Sequence, residues 1–301
     1  MITKTKGGTM CTAPEVIILN EPEPNGGSLH FVDIERMVEK NKTIIDQLAQ
    51  FTIKKAYATY IKFKNRVDIF YVAFSGGKDS VVALDIIQRA LPHNDFIVLF
   101  GDTGMEFCDT YRTVDRVSSE CKKNDIQFYC AKSHFDPKDS WKLFGPPAQR
   151  LRWCCSVHKS TPQILFLRDY LHNKKFRGMA FTGVRGDESE KRSEYDDISF
   201  GEKVKGQYSC HPILDWNSAE LYTYIYENNL VLNEAYKKGN SRAGCLICPL
   251  AGQKNSYIKT QCYNSSENGE NTTKTFNDII LETTSKNLTT QKAIDEFMNV
   301  G

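Results

Sequence analysis

Ser75-Gly76-Gly77-Lys78-Asp79-Ser80 lies between an apolar run, Ile69-Phe70-Tyr71-Val72-Ala73-Phe74, and a segment that reads as a helix, Val81-Val82-Ala83-Leu84-Asp85-Ile86-Ile87. A strand, a glycine turn and a helix start, in that order, form a cradle for phosphate. The glycines let the backbone approach an anion, the first N–H groups of the helix point at it, and the helix dipole favours negative charge. Ser75, Ser80 and Lys78 add side-chain donors, and Asp79 can hold Mg²⁺ or align the phosphates. The spacings G-x-x-x-x-G-K-S/T and G-x-G-x-x-G are both absent, so this is neither a Walker loop nor a dinucleotide fingerprint. The alternative is a glycine turn that merely joins a buried strand to a helix.

With 301 residues, 40% of them hydrophobic and 25% charged, the chain has the size and composition of a soluble globular protein. No apolar run approaches a membrane span, and the first residues lack the apolar core of a signal peptide, so a cytoplasmic address is expected. In that reducing setting the ten cysteines are expected as thiols or metal ligands, and the sequons at Asn264, Asn271 and Asn287 carry little weight. Net charge is +2 but unevenly spread: residues 132–177 hold ten Lys/Arg against three Asp/Glu, an excess of seven. Such a stretch suits a polyanion, either nucleotide phosphates or a nucleic-acid backbone, or else it is a pair of solvated helix faces.

Periodicity divides the chain further. Residues 1–30 read as polar loop, and 30–64 as a helix that covers the sheet edge or pairs with another chain, an oligomer being one outcome. After the loop and its helix, Ser80 to Leu91, a strand at 96–100 ends in Gly101-Asp102-Thr103-Gly104-Met105-Glu106. A helix near 110–123 and a strand at 126–131 follow. Beyond Gly145-Pro146-Pro147 the pattern gives a helix over 156–172, with Ile164, Leu165, Leu167, Tyr170 and Leu171 on or near its apolar side. A strand at 178–183, a hairpin or mobile loop over 191–207, an extended 211–216 and a helix capped by Ser218 come next. Weak helical patterns appear near Ile279 and Ala293. Alternating strands and helices predict an α/β fold: a parallel twisted sheet, Rossmann-like, with helices on both faces and ligands at the strands' carboxyl ends. The expected organisation is an N-terminal segment 1–64, a nucleotide-binding domain 65–235, a region 236–262 that completes a cysteine site, and a polar tail 263–301.

Cys154-Cys155 and, about ninety residues later, Cys245-Leu246-Ile247-Cys248-Pro249 supply four soft thiolates. Four thiolates can hold a [4Fe–4S] cluster or a zinc ion; adjacent cysteines are unusual for zinc, and a proline after the last Cys is common at clusters. The remaining alternative is four unrelated thiols. Cys11, Cys108, Cys121, Cys130, Cys210 and Cys262 lack such partners and read as core or surface thiols, Cys108 standing out for its place just after the expected nucleotide loop; Trp216 and His211 read as structural, and Trp153, beside the cysteine pair, as core or a stacking platform.

S-G-G-K-D-S resembles the PP-loop of the adenine-nucleotide α-hydrolase superfamily, whose ATP pyrophosphatases cleave between the α and β phosphates. The cysteine pattern resembles that of assimilatory adenylylsulfate reductases, which carry a [4Fe–4S] cluster. Their C-C-x-x-R-K-x-x-P stretch is matched here by Cys154 to Pro162 with Lys159 and Pro162 in place and His158 for the arginine. Gly183-Val184-Arg185-Gly186-Asp187-Glu188-Ser189 with Arg192 is similar to the G-x-R-x-x-E-S-x-x-R stretch of the phosphoadenylylsulfate reductase family. The resemblance covers roughly Asp68 to Gly252 and implies that Arg185 and Arg192 clamp phosphate or sulfate, the alternative for Arg185 being a surface arginine paired with Asp187 or Glu188. It further implies that Asp102 and Thr103 contact nucleotide or metal, that Lys78, Asp79 and Arg185 serve catalysis, and that Cys154, Cys155, Cys245 and Cys248 hold the cluster. Family reductases use a cysteine in a terminal E-C-G-(I/L)-H motif, absent here, and tend to carry a degenerate loop where this chain has the intact one. Proteins of this family often continue past the point where this chain stops. The resemblance thus implies ATP activation coupled to sulfur transfer, as in iron–sulfur members that install phosphorothioates in DNA. A sulfur or electron donor protein is implied as partner. The rivals are a sulfonucleotide reductase and a non-catalytic sensor.

Overall fold

Strand β1, Ile69–Phe74, is apolar at every position, and such a strand is stable only when both faces are covered. In a computed structural model, which describes residues 32–147, 151–201, 206–248, 251 and 276–282, it lies inside a six-stranded sheet. The chain separates into two units, residues 1–34 and 35–301, and the sheet belongs to the second. Its strands are β1, β2 (Phe96–Asp102), β3 (Gln127–Lys132), β4 (Gly178–Phe181), β5 (Ile198–Phe200) and β6 (Gln207–Cys210). Their order is β3-β2-β1-β4-β6-β5, parallel except for β5, which pairs antiparallel with β6.

The pleat sorts the core. Phe70, Val72 and Phe74 stand beside Phe96, Val98 and Phe100 on one neighbour, and Phe70 and Val72 beside Met179 and Phe181 on the other; all these side chains share one cluster. That face is covered by α1 (Ile34–Phe63), α2 (Lys78–Ala90), α3 (Cys108–Lys123) and the later helix over 218–227. Ile69, Tyr71, Ile97, Leu99 and Ala180 form the opposite face, closed by Leu167 and Phe176. At roughly 1.5–3 kcal/mol per fully buried large apolar side chain, these two layers dominate the fold's stability.

The remaining helices are α4 (Pro137–Phe144), α5 (Trp153–Cys155), α6 (Thr161–Tyr170), α7 (Glu190–Ser193), α8 (Ser218–Glu227) and α9 (Glu234–Lys237), with a further helical stretch at 276–282. No helix among the described residues is long and apolar enough to cross a membrane.

Several expectations are corrected. Helix α1 lies across a sheet face, not its edge: Tyr60 meets Phe70 at 5.2 Å between ring centroids, Phe63 meets Tyr208 at 4.9 Å, and Trp216 Nε1 donates to Thr52 Oγ1. The helix expected from Ser156 begins at Trp153 and passes through a π turn, Ser156–Ser160, before α6. Leu165 and Tyr170 are 41% and 39% exposed there, so the apolar side is narrower than the sequence pattern implies. The strand expected at 211–216 is displaced: β6 ends at Cys210, and 212–215 form a turn. Asn217 caps α8 in place of Ser218, accepting Glu220 N–H while the Glu220 carboxylate accepts Asn217 N–H. Helix α4 was not expected; Asp136 caps it and Pro137 occupies its first turn. Within the span 191–207 lies β5, which pairs antiparallel with β6, a strand that starts at Gln207. The helical pattern near Ala293, Cys11 and Cys262 lie outside the described residues.

Candidate functional site

The chain leaves β1 for β2 and β3 on one side, then returns to lay β4 against β1 on the other. The carboxyl ends of β1 and β4 therefore face the crevice where strand order reverses, the usual ligand position in open α/β sheets. Ser75–Ser80 follows β1 there. Gly76 adopts a φ of +71°, a left-handed conformation suited to glycine, and Lys78 starts α2 after Gly77, an N-cap residue with no side chain to cap the helix. Ser80 Oγ donates to Gly77 O at 2.8 Å and accepts the Ser75 N–H at 3.2 Å, closing the turn.

The segment after β4 forms the back wall of this loop. A Cβ placed on Gly183 would fall 2.5 Å from the carbonyl of Asp79, so the two backbones touch only because this residue is glycine. Arg185, 2% exposed, donates from Nε to Asp79 Oδ1 at 2.6 Å and from Nη1 to Asp187 Oδ1 at 2.6 Å. Asp187 in turn accepts the Ser218 N–H at 2.9 Å, which ties this network to the start of α8. Lys78 Nζ takes the other Asp79 oxygen at 2.9 Å. Both Asp79 carboxylate oxygens are thus engaged by cations, one by Arg185 and the other by Lys78.

Arg192 pairs with Glu188, and burial followed by the nearby charge of Arg242 pulls its pKa below the usual guanidinium value. Asp102 ends β2 and accepts Tyr111 Oη–H and Gly104 N–H, each at 2.8 Å, with Lys132 Nζ 3.8 Å away. Thr103 turns to the cysteine side: it donates to Glu106 Oε1 at 3.1 Å and stands 3.5 Å from Cys245 Sγ.

A β-bridge between Glu106 and Cys245 joins the loop after β2 to the C-x-x-C segment, and Leu246 N–H donates to Met105 O at 2.6 Å. Cys245 Sγ lies 3.8 Å from Glu106 Oε1, while the buried Glu106 Oε2 has no hydrogen-bond partner among the described residues. Burial raises the Glu106 carboxyl above its ordinary range, and burial followed by the Glu106 charge raises the Cys245 thiol. The Cys154 S–H bond to Cys155 brings the Cys155 thiol down to about 6, with Lys159 and Arg152 assisting against burial. Cys154 is raised by that same bond, by burial, and by the charges of Cys155, Cys245 and Cys248. The four sulfurs thus share one electrostatic neighbourhood. Among the described residues, however, no group of three His, Cys, Asp or Glu side chains is placed to hold a single metal ion.

Of the other cysteines, Cys121 and Cys210 are buried in the core, Cys108 is half-buried and Cys130 is exposed. Trp216 is buried, and buried His211 sits 2.7 Å from Thr182 Oγ1, in keeping with structural roles. Residues that sequence reasoning passed over also shape the site. Asn233 Nδ2 donates to Gly76 O at 2.9 Å and to Thr110 Oγ1, and Tyr236 Oη accepts Lys78 N–H. Their partners lie more than a hundred positions away, so local pattern carried no signal for them.

Residues 69–251 match the family described as the phosphoadenosine phosphosulfate reductase domain. An uncharacterized protein of Methanocaldococcus jannaschii is 34% identical over 226 residues, 74% of this chain and 52% of its own length; a second from that organism is 34% identical over 71% and 42%. The chain thus spans about half the length of these archaeal relatives. The adenosine 5'-phosphosulfate reductase of Halalkalibacterium halodurans is 27% identical over 70% of this chain and 88% of its own. A crystal structure of phosphoadenylyl-sulfate reductase from Candida auris, a phosphate complex, aligns over 73% of this chain and 98% of its own at 20% identity, with a TM-score of 0.47.

Proposed function

Because the chain belongs to the phosphoadenosine phosphosulfate reductase domain family, we propose that it is an enzyme of sulfur chemistry that activates an acceptor with ATP. The observation that carries this reading is the intact S-G-G-K-D-S turn at the strand-order reversal, with buried Lys78 aligned by Asp79, itself fixed by Arg185. In this scheme the β and γ phosphates rest on the first turn of α2, Ser75, Ser80 and Lys78, with Mg²⁺ held chiefly by phosphate oxygens and water. An acceptor oxygen attacks the α-phosphorus, a new P–O bond forms, the α–β bridge breaks, and pyrophosphate leaves into the cradle. The protein supplies alignment and positive charge for the leaving group. Hydrosulfide from a donor protein then attacks the adenylated centre, and AMP departs with the acceptor's oxygen. The excess of positive charge in 132–177 supports a nucleic-acid acceptor.

Cys154, Cys155, Cys245 and Cys248 have the donor chemistry for a [4Fe–4S] cluster. The adjacency of Cys154 and Cys155 and the proline after Cys248 support such a cluster over zinc. When bound, such a cluster would supply an electron-rich, polarising surface next to the nucleotide. Lys159 and Arg152 would face it as counter-charges.

Similarity to adenosine 5'-phosphosulfate reductases favours a second reading, in which adenylylsulfate takes two electrons from a dithiol protein and yields sulfite and AMP. One assay divides the two. Purified anaerobically, the protein is given ATP or adenylylsulfate with thioredoxin. AMP and pyrophosphate from ATP, lost in Asp79→Ala, are expected. Sulfite from adenylylsulfate with no pyrophosphate from ATP would replace the first reading with the second.

A further inference from the structure

Tyr236, on α9, reaches the phosphate loop from the side of the C-x-x-C segment. Its hydroxyl oxygen accepts Lys78 N–H at 3.1 Å and Ala243 N–H at 3.4 Å. A Cβ on Gly77 would lie 3.1 Å from that oxygen, and the Lys78 ammonium stands 5.1 Å from the ring centroid. Lys78 N–H belongs to the first turn of α2, whose N–H groups have no partner within the helix and are the ones a helix offers to an anion. A phenol oxygen accepts through its lone pairs and donates through its single hydrogen. Two amides arriving on the lone pairs leave that hydrogen directed away from both. The hydroxyl therefore takes up the Lys78 N–H and presents its own hydrogen in that donor's place, polarised by two N–H dipoles. Burial raises the phenol's pKa, which keeps that hydrogen in place at neutral pH.

We infer that Tyr236 is a phosphate-positioning residue whose hydroxyl, held by the Lys78 and Ala243 amides, donates to a non-bridging oxygen of the nucleotide's phosphate chain. This rests on the nucleotide reading above and adds a residue that the loop motif does not contain. It also gives the loop a direct connection to the cysteine side, because Ala243 lies two positions before Cys245. Phosphate binding and the placement of the C-x-x-C segment then share one oxygen atom.

Tyr236→Phe keeps the ring against Lys78 and removes only the hydroxyl. Calorimetric titrations with ATP, pyrophosphate and adenosine test it against the wild-type protein. The expected result is a roughly ten- to hundredfold weaker binding of ATP and pyrophosphate, the size of one hydrogen bond to a charged group, with adenosine binding unchanged. In turnover, KM for ATP rises by more than kcat falls. Unchanged binding of ATP and pyrophosphate would overturn the inference and leave the loop assignment standing. Equal weakening of all three ligands would also overturn it, since that marks a structural role. Wild-type protein that binds none of the three removes both the inference and the nucleotide reading beneath it.

Discussion

Gly183 and Arg185 act on the phosphate loop from behind, and each makes a distinct demand. At Gly183 the demand is space. Gly183→Ala puts a methyl group 2.5 Å from the Asp79 carbonyl, and the backbone there cannot swing aside as a side chain would. About 1–3 kcal/mol of stability is expected to be lost in urea unfolding, together with ATP affinity, because the loop must move to relieve the contact. At Arg185 the demand is charge. The sequence showed an arginine at a strand's end and implied a phosphate clamp, but the guanidinium is buried and already shared by Asp79 and Asp187. What the sequence could not show is the partner: Asp79 lies 106 positions away, and only the packing of β4 on β1 brings the two together. The loop itself was fully legible, since strand, glycines and helix start are contiguous. His158 illustrates a third situation. Ser140 Oγ donates its one hydrogen to Pro137 O and stands 2.7 Å from His158 Nε2, so that nitrogen carries the imidazole proton and donates to Ser140. Burial lowers the His158 pKa from 6.5. The unfolded chain therefore binds the extra proton more readily, and this contribution to stability is present above about pH 6.5 and lost as pH falls below it. Urea unfolding of wild type and His158→Gln should show the wild-type advantage shrinking between about pH 7.5 and pH 5; a constant difference would count against the assignment.

At the scale of elements, β1 to β3 and the helices between them were readable because apolar runs alternate with helical periodicity at short range. The ends of elements were less so. Ser218 looked like the cap of α8, but its hydroxyl is engaged with Asp187, and Asn217 with Glu220 completes the capping box one residue earlier. Asn217→Ala should cost about 1 kcal/mol in thermal or urea unfolding, whereas an equal loss in a Glu220→Gln variant is not expected, because the amide oxygen can still accept. Helix α4 escaped notice since its eight residues bury only Pro137, Ser140 and Trp141. Trp141 packs on Phe276 at 4.4 Å between centroids, a contact whose second half lies far along the chain. The π turn at 156–160 has no signature in residue order. It falls directly after the tandem cysteines, where an extra residue per turn re-aims the side chains that follow.

For the whole molecule, the positive excess in 132–177 is spread over the end of β3, α4, the π turn, α6 and the segment 174–177 that follows it, with Lys132 partly offset by Asp102. If that surface takes a nucleic-acid backbone, binding of a labelled oligonucleotide should weaken steeply between about 50 and 200 mM salt, with a log–log slope that reports the number of phosphates engaged. No binding at the low end would reduce the stretch to solvated helix faces. A separate consequence follows from where β4 lies. The chain travels out through β2 and β3 before β4 returns to β1, so a partly folded molecule with three strands formed has the loop's sequence but not the wall that shapes it. On the proposed nucleotide reading, affinity is then a property of the finished sheet alone. By mass action, ATP should raise the free energy of global unfolding, and not merely that of a local opening. In hydrogen exchange, the amides of β1 and β4 should gain protection from ATP together and by the same amount, as two halves of one cooperative unit.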